Sequence, residues 1–195
     1  MTRLKRLFPG RVRKGKPKRR LLDEAVRFSP DKGRALDLDA GKLEIARELK
    51  LAGFREVAAV VHPTRVVHTP HHGIELHVRK IEEYFLRKER YDLICCMHGL
   101  WRLGHPEIFG LFQRIHTALR PDGVFACRVL GDLDGWAADR KDSCMTPEAF
   151  KLLCSNFETI GYKRHQSPAT MQVLNPSQRH RKFWDMHIAL LRKRA

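Results

Sequence analysis

Asp37, Asp39, Gly41 and Leu43 stand in one short run, Gly33-Arg34-Ala35-Leu36-Asp37-Leu38-Asp39-Ala40-Gly41-Lys42-Leu43, whose pattern is a buried strand, a turn and a helix. Such a unit can hold a nucleotide, because glycine lets the backbone approach a ligand and helix N-terminal amides face it. Here Gly41 is the one glycine of the turn, and Asp39 and Leu43 occupy places where small residues are expected. His98 follows a later strand, at the carboxyl edge where open α/β sheets bind ligands, and is a candidate general base. A loop-capping role suits it equally. His62, His68, His71, His72 and His77 form a local cluster without a nearby cysteine or carboxylate to complete a metal site, so they read as surface-loop histidines and no metal is expected. Cys95 and Cys96 fall inside a strand pattern and read as packing.

The elements that must position these residues follow from periodicity and turn chemistry. Apolar spacing predicts a short helix over Leu21 to Phe28, and Ser29-Pro30-Asp31-Lys32-Gly33 is a turn. Strands are expected at Arg34–Leu38, Glu56–Val61, Ile74–Val78, Tyr91–Cys96 and Val124–Leu130. Helices are expected at Lys42–Leu51, Ile81–Arg87 and Glu107–Leu119, and from Thr146-Pro147-Glu148 to about Ser155, where Thr146 is an N-cap and Pro147 takes the first helical position. Gln172–Leu174 and Trp184–Leu191 read as a closing strand pair. Strand and helix alternating five times predicts a doubly wound, mostly parallel, Rossmann-like α/β sheet with an antiparallel closing strand.

In this layout residues 33–130 resemble a class I S-adenosylmethionine (SAM) methyltransferase, in particular the small tellurite-resistance-type branch. The resemblance rests on Gly33-Arg34-Ala35-Leu36-Asp37-Leu38, Tyr91-Asp92-Leu93-Ile94, Leu100-Trp101-Arg102-Leu103 and Ala118-Leu119-Arg120-Pro121-Asp122-Gly123-Val124. The final segment, Met186 to Lys193, looks like the family's last antiparallel strand. The resemblance implies SAM as cofactor, near Asp37, Asp39, Gly41, Val61, His62, Lys80 and Met97. Three of the family's grips are missing. Leu43 replaces a turn glycine, Val61 and His62 stand where an acid would hold the ribose, and Lys80 stands where an acid would lie near the adenine.

Charge is the second strong feature. The 195 residues carry a net charge of +16, and residues 1–20 hold Arg3, Lys5, Arg6, Arg11, Arg13, Lys14, Lys16, Lys18, Arg19 and Arg20 with no acid. This segment is expected to be an extended arm ahead of a methyltransferase-like domain over 21–195, with a phosphate backbone as its partner. A targeting peptide and a solubilising tail are the other readings. Arg179-His180-Arg181-Lys182 and Arg192-Lys193-Arg194 could extend the same surface. The five cysteines are odd in number and lie in core elements, which indicates a reduced compartment: cytoplasmic, or the mitochondrial matrix in a eukaryote. No apolar run approaches the roughly 20 residues that span a bilayer.

Two functions account for these features. One is a catalytically weak or inactive methyltransferase-like module with an eroded SAM site that binds RNA or a ribonucleoprotein through its arm. The other is an active SAM-dependent methyltransferase acting on an unidentified acceptor. A weaker third idea has His62, Arg79 and Lys80 adapting the pocket to a more anionic ligand.

Overall fold

The computed structural model describes residues 17–65, 72–172 and 179–194. Arg3, Lys5, Arg6, Arg11, Arg13, Lys14 and Lys16 lie outside them, as do His68 and His71. Helix α1 spans Pro17–Phe28, four residues longer than its apolar spacing suggests, so the backbone of Lys18, Arg19 and Arg20 lies in its first turns. Then follow β1 (Arg34–Leu38), α2 (Glu44–Leu51), β2 (Glu56–Val61), β3 (Ile74–Val78) and β4 (Tyr91–Cys96). The second half comprises α3 (His105–Ala118), β5 (Leu119–Gly131), β6 (Cys144–Met145), α4 (Pro147–Leu153), β7 (Phe157–Gln172) and β8 (Arg179–Lys193). The strand order is β3-β2-β1-β4-β5-β8-β7, with β6 pairing β5. β1 to β5 run parallel, and β8 is antiparallel to both β5 and β7.

The central strands are largely apolar, Asp37, Asp92 and Arg128 aside, because helices cover both faces. Alternate side chains sort to opposite sides. Ala35, Val57, Ala59 and Leu93 pack with Leu22 and Ala25 of α1 and Ala46 and Leu49 of α2. Leu36, Val60, Ile94 and Phe125 pack with Ile108, Phe112 and Ile115 of α3 and Phe150 of α4. All five cysteines are free and buried, and burial pushes the Cys154 thiol up to about 12. Among the described residues no helix is long and apolar enough to cross a membrane.

The structure corrects the predicted elements in three places. Ile81–Arg87 is not a helix but a turn followed by extended chain, with Glu83 and Tyr84 amides bonding back to Lys80 and Ile81 carbonyls. The reason is burial: Ile81, Tyr84 and Leu86 enter the α3 side of the core while Phe85 is exposed, an alternation over 84–87 that suits extended chain and not a helix. The Arg120–Gly123 turn is absorbed into β5 as an irregularity opposite Tyr91 and Leu93, with Asp122 left-handed at φ 60. The closing strand pair is much longer than expected, 16 and 15 residues.

Candidate functional site

The strand order reverses between β1 and β4, so the crevice outside their carboxyl ends is the natural binding place. The β1–α2 turn rises into it with three left-handed residues: Asp39 at φ 56, Gly41 at φ 55 and Leu43 at φ 62. Glycine would make all three positions cheap, and here only one has it. Leu43 is fully buried among Ala35, Ala46 and Leu49. Burying a leucine contributes about 1.5–3 kcal/mol, against about 1–2 kcal/mol for the left-handed backbone, so burial wins. The side chain of Leu43 points into the core, not into the cleft.

Asp37, at the foot of the turn, is also buried and accepts a hydrogen bond from the Ala46 amide at 3.1 Å. Desolvation raises its carboxyl to about 8, against the pull of that amide and with some help from Asp39, so it is largely a neutral acid at pH 7. One amide of the first turn of α2 is thereby satisfied from within the protein.

Asp39 is nearly buried, and Arg102 Nη1 donates to its carboxylate at 3.2 Å. Arg102 comes from the 3-10 turn Gly99–Arg102 after β4. Gly99 presses on the same group: a Cβ there would lie 2.7 Å from Asp39 Cβ and 2.8 Å from Ile81 Cδ1. The loop after β4 is therefore clamped onto the first position of the turn.

This clamp stands between two spaces. On one side is a cavity of about 280 Å³ bordered by Gly41, Lys42, Arg65, His98 and Trp101. On the other is a space of about 110 Å³ bordered by His62, Lys80 and Glu82. Asp39 and Arg102 line both. His62 Nδ1 is bonded to the Thr64 hydroxyl at 2.8 Å, and Lys80 pairs with Glu83 at 3.3 Å. Val61, at the end of β2, is buried in the core of the α1–α2 face.

A third cavity, about 440 Å³, opens over β4, β5 and β8 and shares His98 and Trp101 with the turn cavity. Met97 lines this cavity, beside His98. Here the chain's three tryptophans meet. Trp136 lies 5.6 Å from Trp101 and 5.7 Å from Trp184, ring centre to ring centre. The guanidinium carbons of Arg102 and Arg140 lie 4.9 and 4.6 Å from the Trp101 ring centre. Sequence reasoning placed His98 at this edge but gave no site role to Trp136, Trp184, Arg102 or Glu82; three tryptophans in a 195-residue chain are the signal that was there to use. His98 is exposed at the junction of the two cavities. Among the described residues no group of three or more His, Cys, Asp or Glu stands close enough to hold a metal.

With that geometry in hand, comparison with known proteins decides the family. A methyltransferase-domain family model matches residues 11–187. The chain belongs to the class I SAM-dependent methyltransferase superfamily. No curated protein matches it closely enough to count as a relative. Solved structures share the fold at low identity. A methyltransferase candidate from Bacillus halodurans superposes with a TM-score of 0.68 at 10% identity, covering 89% of this chain and 99% of that one. The N-methyltransferase NodS from Bradyrhizobium japonicum gives 0.62 at 13%, covering 91% and 97%. A SAM-dependent methyltransferase from Leishmania major gives 0.60 at 17%, covering 88% and 73%. These similarities concern the methyltransferase fold and leave the acceptor open.

Proposed function

We propose that this methyltransferase-fold chain holds SAM poorly, is catalytically weak or inactive, and serves as a module that docks on RNA or a ribonucleoprotein through its basic N-terminal segment. The observation that carries the first part is the Asp39–Arg102 pair. In this reading the residues present do not fit the adenosyl group. A carboxylate stands at a turn position suited to glycine, its guanidinium partner splits the crevice, and only about 110 Å³ remains between His62 and Lys80. Absence of a ribose-holding acid at the end of β2 removes about 2–4 kcal/mol, and each 1.4 kcal/mol is tenfold in affinity. A micromolar cofactor thereby becomes a millimolar one. The second part is supported by the ten bases and no acids of residues 1–20.

A second reading, an active methyltransferase, is favoured by two observations. The turn cavity and the tryptophan-lined cavity adjoin at His98, and Glu82 brings a carboxylate to the rim from the β3–β4 connection. Calorimetric titration of the full chain with SAM separates the two. A millimolar or weaker dissociation constant is expected, and a micromolar one overturns the first reading.

A further inference from the structure

The tryptophan-lined cavity has a feature that the fold and the cofactor question leave unused. Arg128, on β5, reaches its wall, and among the described residues it has no carboxylate partner and its Nε–H donates no hydrogen bond. Other buried or half-buried charges at this end of the sheet are neutralised. Arg164 donates to Asp185 at 2.5 and 2.8 Å and to Asp132 at 2.7 Å, and Asp39 has Arg102. Arg128 is the exception. Desolvation alone lowers its pKa, with no charged neighbour to offset it. His165 beside it is lowered by burial, then by the charges of Lys163 and Arg128. The described residues lining the cavity include no carboxylate, and the wall beyond Arg128, His165 and His98 is apolar or tryptophan.

We propose that this cavity binds a flat aromatic ring carrying one anionic substituent, a carboxylate or a phosphate, with the ring against Trp101, Trp136 and Trp184 and the anion on Arg128. Each part of the chemistry has a reason. A half-buried arginine without an acid carries a desolvation cost that a ligand's anion would offset, and its planar fork suits the paired oxygens of carboxylate and phosphate. Tryptophan supplies broad rigid faces for an aromatic ring. Size agrees: a cavity of 150 Å³ can take benzene, so about 440 Å³ has room for two fused rings and their substituent. The inference does not require SAM to bind, because the cavity lies on the other side of His98 from the Asp39–Arg102 clamp.

The test uses the full chain and three probes in calorimetric titrations: 2-naphthoate, 2-naphthyl phosphate and the neutral 2-naphthamide. At least one anionic probe should bind about tenfold to a hundredfold more tightly than the amide, the range for a charged hydrogen bond. Which anion binds better distinguishes a carboxylate ligand from a phosphate one. Arg128→Met should abolish this preference while still binding the amide, which also reports that the cavity has folded. Equal affinity of wild type for all three probes would overturn the proposal, as would no binding of either anion at millimolar concentration. A preference that survives in Arg128→Met would do so too. Failure here leaves the cofactor reading untouched, because that reading is measured with SAM.

Discussion

Asp37 sits beneath the turn, wholly buried, with its carboxyl raised to about 8 mainly by desolvation. In the unfolded chain it ionises near 3.8, so folding must take up a proton at any pH between the two values. This cost grows as pH rises from about 4 to 8 and levels off beyond. Asp37→Asn keeps an oxygen to accept the Ala46 amide and removes the titration. The variant should gain on wild type as pH rises from 5 to 8, by on the order of 4 kcal/mol. Urea unfolding of both proteins at the two pH values checks this, and a constant difference would contradict it. Leu43 is instructive for another reason. Its sequence position suggested a side chain crowding a ligand, yet the left-handed backbone turns it into the core. Asp39 is instead gripped by Arg102, 63 residues away, a pairing that could not be foreseen from spacing.

At the scale of elements, the parallel strands were legible because each is a short apolar or alternating run bounded by turn residues. Their predicted and observed limits coincide for β1 to β4. The false helix at Ile81 arose from Ile81 and Tyr84, buried three residues apart in what is a turn. The long hairpin was missed because β7 is an edge strand. Its Lys163-Arg164-His165-Gln166-Ser167-Pro168 stretch lacks an apolar run, and a proline is tolerated only at such an edge. Beyond the β5–β8 ladder, the buried carboxylate of Asp185 ties the hairpin to the end of β5. Arg164 bonds it, the Leu133 amide donates to it at 3.0 Å, and Gly131 makes room for it. A Cβ on Gly131 would fall 2.2 Å from Asp185 Oδ2, an atom held from two sides. Gly131→Ala should therefore destabilise the protein by about 1–3 kcal/mol, read as a lowered urea midpoint. An unchanged midpoint would show that Asp185 is freer than its bonds imply.

At the scale of the whole molecule, charge and fold divide the labour proposed for this chain. Seven of the ten N-terminal bases precede α1, in residues 1–16. Each phosphate they neutralise releases counterions, so RNA affinity should fall with salt along a slope of about 0.7 per contact for single strands. Removing residues 1–16 should flatten that slope by up to about 5 and weaken binding at moderate salt. Equal slopes for both chains would assign the RNA contact elsewhere. The cofactor claim is tested most directly by SAM titration of wild type beside Asp39→Gly, which removes the carboxylate, releases Arg102 and restores glycine where φ is positive. The account predicts millimolar or weaker binding to wild type and at least tenfold tighter binding to the variant. Micromolar binding to wild type, or no gain on substitution, would contradict it.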